Sequence, residues 1–446
     1  MPRRLRIRRT PSGLGTLITS AGTGWGDTAP AGSREDPATA AARASREFAG
    51  KVLAATLRSV RDLDIAEEST ADAFLHALQT WPRDGVPASV DAWLITTARN
   101  RALDRVRRAQ AAQRALLREA RGKRSAFPSA ENPADVVDTA VVGDDELRMV
   151  VLCCDPRLST DEQVALTLRL ACGVPTASIA AGFGIPTPTM AARLTRAKAK
   201  LVRLGPQLDL PDDATVDARL PAVATVVYLA GTLGHTAGSG ERLADDELAD
   251  RARYLARVLH RLRPAEAEFT GLLALILLTR ARAGGRLDET GGQILLGDAD
   301  RSRWDAAMIA EGLQFAAMAG RGGPLALHAA IAAEHARAAS LDTTDWPAVL
   351  ALYSQLLTLQ PAHTVAVGRS IAVGRVAGPA AGLRDLDEVI ELGGLDRYPY
   401  AFGARGYFLE QLDRLSEAAA EWRRAATLAR TAAERDYFDR RAENAT

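Results

Sequence analysis

Residues 159–200 constrain the fold most tightly, because they carry start and stop signals for three successive helices. Ser159–Glu162 has the spacing of a capping box and predicts a helix that ends at Gly173, where a left-handed backbone is expected. Thr176 is placed to cap a short second helix. After a Gly-Ile-Pro turn, Thr187 and the proline that follows it open the third helix. This order predicts a helix-turn-helix, whose last helix enters the major groove of DNA.

The third helix of this motif divides into an apolar face and a basic face. Four residues at helical spacing are expected to point inward: Met190, Leu194, Ala197 and Leu201. Four others are expected to point outward: Thr189, Arg193, Arg196 and Lys200. The outward face would suit phosphates and base edges. The same spacing also fits an ordinary three-helix subdomain with a basic surface.

Two longer helices are predicted nearer the amino terminus. The first opens at the capping box Asp64–Glu67, ends at Pro82 and has an apolar face made of Phe74, Leu78 and Trp81. The second is capped by Ser89 and has one apolar side. Its exposed stripe carries arginines at i, i+4 and i+7, which are Arg101, Arg105 and Arg108.

The near-zero net charge conceals two halves of opposite sign. Residues 1–205 hold 30 basic and 22 acidic side chains, whereas the remainder holds 26 and 33. Within the first half, residues 99–124 contain ten basic and two acidic side chains, and 187–205 contain five basic and none acidic. Two separated basic clusters favour contact with one extended polyanion. Either cluster alone also fits a solvated helix face.

Composition excludes several classes of protein. A chain of 446 residues with 47% apolar content has room for two or three domains, and three cysteines are too few for a disulfide scaffold. The longest apolar run, residues 271–279, is too short to span a bilayer. The basic start is followed by Gly, Ser and Thr instead of an apolar segment, so a cytoplasmic protein is expected.

No catalytic or cofactor motif stands out. Cys153, Cys154 and Cys172 lack the paired spacing of a zinc site and are expected to be buried thiols. The Gly-rich residues 231–240 lack the Gly-Lys-Ser/Thr of a phosphate loop. We therefore expect no enzyme activity, no metal and no cofactor.

Composition shifts divide the chain into five parts. The fold class predicted is all-α. The predicted organisation is a disordered N-terminal extension (1–42), a first helical domain (43–109), a linker (110–145), a helix-turn-helix domain (146–205) and a C-terminal helical domain (212–446).

The C-terminal domain contains a weak internal repeat. Residues 351–359, 382–392 and 420–428 align with Tyr353, Leu386 and Trp422 in register. The repeat steps of 33 and 36 residues suit tetratricopeptide-like helical hairpins. Three degenerate copies in an Ala-rich chain could also arise by coincidence.

The first half resembles a known family. Residues 66–74 and 92–105 resemble region 2, and residues 176–180 and 193–198 region 4, of bacterial RNA polymerase sigma factors of the extracytoplasmic-function group. Residues 152–156, 298–305 and the C-terminal repeats look like the subgroup with a tetratricopeptide-like extension.

The resemblance implies two partners, core RNA polymerase and promoter DNA. Its polymerase-binding positions correspond here to Asp64, Glu67, Glu68, Asp72 and Phe74. Its DNA-binding positions correspond to Arg99, Asn100, Arg101, Arg105, Arg107, Arg108, Thr187, Thr189, Arg193, Arg196, Lys198 and Lys200. The C-terminal domain would modulate activity, in contact with the sigma regions. A helix-turn-helix regulator that binds duplex DNA without polymerase is the alternative.

Overall fold

The computed structural model describes residues 36–121, 139–183, 185–203, 211–235, 246–286, 294 and 296–445. This part of the chain consists of helices and connecting turns, and it contains no strand. The predicted all-α class is therefore confirmed. The predicted disorder of residues 1–35 falls outside the described residues.

Helix group 1 is built from three long helices that pack against one another. They are α1 (Pro37–Val60), α2 (Leu63–Asp84) and α3 (Val90–Arg121). Helix α2 begins earlier than predicted, because Asp62 is its N-cap and accepts a hydrogen bond from the Ile65 amide at 2.9 Å. It also continues past Pro82, which lies in its last turn.

The ends of helix group 1 extend beyond the predicted domain. Helix α1 begins at Pro37, inside the predicted extension, and α3 continues to Arg121, inside the predicted linker. Residues 110–121 are rich in Ala, Leu, Arg and Gln, which have high helix propensity. Regular structure therefore enters both segments.

Helix group 2 contains the predicted helix-turn-helix. Its helices are α4 (Thr139–Cys153), α5 (Thr160–Leu166), α6 (Thr176–Gly182) and α7 (Thr187–Arg203), with a π-helical turn at Thr167–Ala171. The capping box is confirmed, since Ser159 and Glu162 exchange backbone and side-chain hydrogen bonds of 2.7 and 3.3 Å. Gly173 has the expected positive φ of 68°. The predicted Thr176 cap is wrong, because Pro175 is the N-cap and Thr176 is the first helical residue.

Helix group 3 contains the remaining helices. They are α8 (Asp213–His235), α9 (Asp246–Leu262), α10 (Ala267–Ala281), α11 (Ala306–Ala319), α12 (Pro324–Arg337), α13 (Trp346–Leu359), α14 (His363–Ala377), α15 (Pro379–Glu391), α16 (Pro399–Glu410), α17 (Leu415–Leu428) and α18 (Ala432–Asn444). From α13 onward, consecutive helices pack as hairpins, and the three aligned repeat segments lie on α13, α15 and α17. The predicted tetratricopeptide-like arrangement is confirmed.

One hydrophobic core crosses all three groups. It includes Leu57 of α1, Ile179 of α6, Val227 of α8 and Leu273 of α10, each 1% exposed or less. The three cysteines are buried in the same core, as predicted. Among the described helices, α8 alone is long and apolar enough to match a membrane span in length and composition, and its buried side chains belong to this core.

Candidate polymerase and nucleic-acid interface

Helix α2 presents the acidic side chains that the sequence assigns to polymerase binding. Asp64 and Glu68 are mostly exposed, at 74% and 67% of the side chain, whereas Glu67 and Asp72 are about one quarter exposed. At helical spacing, Asp64, Glu67 and Glu68 share one side of α2. Phe74, the fifth predicted residue, is half-buried and packs against the core of helix group 1.

The predicted apolar face of α2 is wrong in part. Trp81 is 2% exposed, as expected, but Leu78 is 46% exposed. The buried face is made mainly of small residues, which are Ala66, Ser69, Thr70, Ala73 and Ala77. The side of α2 that faces the core is therefore identified mainly by small side chains, not by large apolar ones.

Sequence reasoning missed an exposed apolar pair on α2. Leu75 and Leu78 are 55% and 46% exposed. Leu75 lies seven residues, or two turns, after Glu68, so it continues the acidic side of the helix. Leu78 lies one turn beyond Leu75, so the two leucines form a small exposed apolar patch beside the carboxylates. The sequence contains both leucines, but the helical spacing of Leu78 from Phe74 and Trp81 predicts that Leu78 is buried.

The arginine stripe of α3 lines a cleft of about 570 Å³ beside α2. The structure brings Asn100, Arg101, Arg105 and Arg108 together on its wall. Arg107 is exposed and forms an ion pair with Asp104 at 3.6 Å. Arg99 is half-buried, and its Nε has no hydrogen-bond partner among the described residues.

The cleft also joins the predicted DNA-binding residues to the predicted polymerase-binding residues. Arg105 contacts Glu68 at 3.2 Å and Asp72 at 2.8 Å, and Arg101 lies 3.7 Å from Asp72. The hydrogen bond to Asp72 is the largest influence on the pKa of Arg105, which is raised above its ordinary value. The basic stripe is therefore partly neutralised by α2.

Helix α7 has the two faces predicted from its sequence. Met190, Leu194, Ala197 and Leu201 are all buried, so the inward face is confirmed. On the other face, Thr187, Thr189 and Arg196 are exposed. Arg193 is half-buried and contacts Asp161 at 3.3 Å, and Lys200 contacts Glu162 at 3.1 Å. Helix α5, which carries Asp161 and Glu162, thus neutralises part of the basic face of α7.

Lys198 bridges helix groups 1 and 2. Its Nζ lies 2.6 Å from a carboxylate oxygen of Asp64 and 2.7 Å from one of Glu67. Burial by itself would lower the pKa of Lys198, but the hydrogen bonds and charges of these two carboxylates outweigh burial and raise it. Lys198, a predicted contact to DNA phosphate, is therefore paired with Asp64 and Glu67, two of the predicted contacts to polymerase.

Three family descriptions match the chain. Sigma-70 region 2 matches residues 45–112, Sigma-70 region 4 matches 148–201, and a family of unknown function, DUF6596, matches 219–320. The first match covers most of helix group 1, and the second covers the helix-turn-helix. Fold and motif thus define a transcription initiation factor of the sigma type.

Three relatives are similar to this chain, and two of them are named as sigma factors. An uncharacterized protein of Rhizobium meliloti, R00370, is 40% identical over 392 residues, which are 87% of this chain and 92% of that protein. The ECF RNA polymerase sigma factor SigC of Mycobacterium tuberculosis is 27% identical, over 41% of this chain and 97% of its own. The ECF sigma factor SigK of Mycobacterium ulcerans is 33% identical, over 25% of this chain and 58% of its own.

The chain carries Sigma-70 regions 2 and 4, over which it is similar to extracytoplasmic-function sigma factors, and it has a C-terminal helical extension that contains the DUF6596 segment. Among solved structures, yeast Tom70 aligns over 92% of this chain and 87% of its own, with 13% identity and a TM-score of 0.34. That likeness is too weak to assign the fold.

Proposed function

We propose that this protein binds core RNA polymerase in the cytoplasm and directs it to promoters that carry two recognition elements. The observation that carries the proposal is the pair of basic helices, α3 and α7, each placed in a segment that matches a sigma region. Promoter contact by this pair requires no covalent chemistry from the protein.

Helix α3 is the proposed contact to the upstream-ten element. Its cleft beside α2 has a volume of about 570 Å³, and Asn100, Arg101, Arg105 and Arg108 line it. Arginine side chains there would follow the phosphates, and salt would weaken binding strongly. Arg99 and Arg107 flank the cleft and would add charge.

Helix α7 is the proposed contact to the upstream-thirty-five element. Thr187 and Thr189 lie at its amino-terminal end, the part of a recognition helix that reaches base edges. Arg193 and Arg196 lie one and two turns further along the outward face. Arginine is suited to bidentate contact with guanine, so this pair would contribute most to sequence preference.

The acidic side of α2, with Leu75 and Leu78, is the proposed docking surface for core polymerase. Leucines give apolar contact area, and the carboxylates of Asp64, Glu67 and Glu68 select a basic partner. In the free protein Lys198 occupies two of these carboxylates. Polymerase would therefore compete with Lys198 for α2 and release it to DNA.

Helix group 3 is proposed to modulate this exchange. Arg219 of α8 donates hydrogen bonds to Asp155 at 3.0 Å and to the Val151 carbonyl at 3.3 Å, both at the end of α4. A movement of α8 would therefore be transmitted through Arg219 to the end of α4 in helix group 2.

The decisive test is transcription by core polymerase with the full-length protein on a library of promoter fragments. Sequencing of the transcripts should reveal a shared start-site motif with two elements. Combined substitution of Arg101, Arg105, Arg193 and Arg196 by Gln should abolish this activity.

A control variant removes two arginine charges that lie outside the proposed interface. Arg337 and Arg414 each pair with a glutamate three residues away on the surface of helix group 3, so their change to Gln should leave transcription intact. No polymerase-dependent transcript at all would refute the proposal. Tight footprinted binding to duplex DNA without polymerase would support the alternative of an independent regulator.

A further inference from the structure

Helix group 3 contains a partly open cavity of about 230 Å³ between α8, α10 and α12. Polar side chains from all three helices and from the turn after α10 contribute to its wall: Tyr228, Thr232, His235, Thr279, Arg280, Arg282, Arg286 and His328. The remaining lining is apolar or glycine. No carboxylate lines the cavity within the described part of the chain.

Three arginines line the cavity, and among the described residues only one of them has an acidic partner. Arg280 forms an ion pair with Asp246 at 2.6 Å. Arg286 donates hydrogen bonds to the backbone carbonyl and to Nδ1 of His235, so it caps the carboxyl end of α8. Arg282 has neither an ion pair nor a hydrogen bond to any described residue, and its recorded contact is a cation–π approach of 5.8 Å to Trp304.

The surroundings of Arg282 make its positive charge energetically unfavourable. Burial, followed by the charges of Arg286 and Arg301, lowers the pKa of Arg282 to about 10. Glu434 lies near Arg286, but its oxygens already accept hydrogen bonds from Tyr400 and from two backbone amides. A buried cation without a counter-charge is unfavourable unless a ligand supplies one.

Two neutral histidines add hydrogen-bonding capacity. Burial lowers the pKa of both His235 and His328, so each is uncharged at neutral pH. Arg286 donates to Nδ1 of His235, which places the ring hydrogen on Nε2. Nε2 of His328 is buried and has no partner among the described residues. The cavity wall therefore includes a histidine with an unsatisfied ring nitrogen and an arginine without an acidic partner among the described residues.

We propose that this cavity binds a small metabolite bearing a phosphate or carboxylate group, with Arg282 as its principal partner. The planar guanidinium presents a fork of N–H donors that matches either oxyanion. The cavity volume of about 230 Å³ is well above what one water molecule needs and leaves room for a small anion.

The position of the cavity gives the ligand a route to the helix-turn-helix. Gly231 and Gly234 of α8 lie on the cavity wall. Leu233, on the same turn of α8, comes within 3.5 Å of the Cβ position of Gly182 on α6. Binding of an anion would thus fix the segment of α8 that contacts the helix-turn-helix.

The test is titration calorimetry of the full-length protein with inorganic phosphate, glycerol 3-phosphate and succinate at constant ionic strength. We expect one saturable site for at least one of them, and a parallel rise of the melting temperature with anion concentration. The phosphate and carboxylate probes distinguish the two ligand sources. No polymerase or DNA is present, so the result does not depend on the proposed sigma activity.

Variants assign the binding to the cavity. Arg282→Gln should weaken binding at least tenfold, and Arg337→Gln, on the surface of α12, should leave it unchanged. His328→Phe removes the unpartnered nitrogen and gives a second, independent variant if Arg282→Gln does not fold. Absence of saturable binding for all three anions, or equal affinity of both cavity variants and the unaltered protein, would overturn the proposal.

Discussion

At the scale of single residues, the ion pairs across the interface are positioned to be exchanged. Arg105 is 28% exposed and its partner Glu68 is 67% exposed. Such solvent-exposed pairs contribute only about 0–1 kcal/mol each. Phosphate groups on DNA or basic groups on polymerase could therefore replace them at little cost in stability.

Lys198→Glu tests whether the bridge restrains polymerase binding. The substitution removes two ion pairs and adds a third negative charge beside Asp64 and Glu67. We expect the affinity for core polymerase, measured by fluorescence anisotropy, to rise two- to tenfold, since each exposed pair contributes about 0.2–1 kcal/mol. Arg337→Gln is the control, and a lower affinity of Lys198→Glu would contradict the exchange.

Leu75→Ser tests the docking surface on α2. Because Leu75 is more than half exposed, the free energy of unfolding should change by less than about 0.5 kcal/mol. Polymerase affinity should fall about tenfold or more, as for an apolar contact at the centre of an interface.

The control for this substitution is Leu415→Ser, at a 48% exposed leucine of helix group 3, which should leave polymerase affinity intact. If Leu75→Ser also leaves it intact, the docking surface lies elsewhere.

Periodicity predicted side-chain direction only where large apolar residues mark the core. On α7, Met190 and Leu194 alternate with arginines, so both faces could be read from the sequence. On α2 the core side carries Ala73 and Ala77, and small residues give a weak periodic signal. The contact of Lys198 with α2 depends on how two distant helices pack, which no local pattern encodes.

At the scale of elements, α1 packs closely against the π-helical turn of helix group 2. A Cβ atom on Gly50 would lie 1.7 Å from the carbonyl oxygen of Ala171. Gly173 also has a positive φ, and its added Cβ would lie 2.7 Å from that of Ala49. The two glycines therefore let the backbones of helix groups 1 and 2 approach closely.

Gly50→Ala should separate these two elements. Since the obstacle is a backbone oxygen, relief requires displacement of a helix, and we expect a loss of at least about 1–3 kcal/mol in the free energy of unfolding by urea. Gly182→Ala is the matched control, because its added Cβ would meet only side chains at 3.5 Å or more. Equal stability of the two variants would show that α1 and the turn adapt freely.

Element order was predictable, but several boundaries were not. The capping box at Ser159 and the positive φ at Gly173 follow from local chemistry, and both were predicted. The extension of α2 past Pro82 was not, because a proline near the end of a helix removes only one backbone bond. Tertiary contacts then decide where the helix ends.

At the scale of the whole molecule, Asp155 connects helix groups 2 and 3. Its side chain is 4% exposed and contacts Arg157 at 2.8 Å and Arg219 at 3.0 Å. The hydrogen bond from Arg157, helped by the charge of Arg219, lowers the pKa of Asp155 to about 2 from an ordinary 3.8. Because the folded-state pKa is lowered, the stabilisation is complete above about pH 4 and is lost as pH falls toward 2.

Asp155→Asn should therefore destabilise the protein in a pH-dependent way. The carboxylate contributes about 2 kcal/mol at pH 7 and about half of that at pH 3. Urea unfolding of both proteins at pH 7, 5 and 3 should show the difference in stability shrinking at the lowest pH. A difference that stays constant from pH 7 to pH 3 would show that the charge of Asp155 has no part in the connection.

Because one hydrophobic core is continuous across the three helix groups, the effect of removing the C-terminal extension depends on where the chain is cut. Side chains of α8 and α10 complete a core that includes Ile179 and Met190 of the helix-turn-helix, so a chain that ends at residue 211 loses part of the support of that motif. We expect amide hydrogen exchange in α6 and α7 to accelerate at least tenfold in this truncation. A chain that ends at residue 338 keeps α8–α12 and should retain most of the protection, because no side chain of α13–α18 belongs to the core that contains Ile179 and Met190. Equal protection in the shorter truncation and the full chain would show that the helix-turn-helix folds without the extension. Loss of transcription on truncation could then be assigned to regulation.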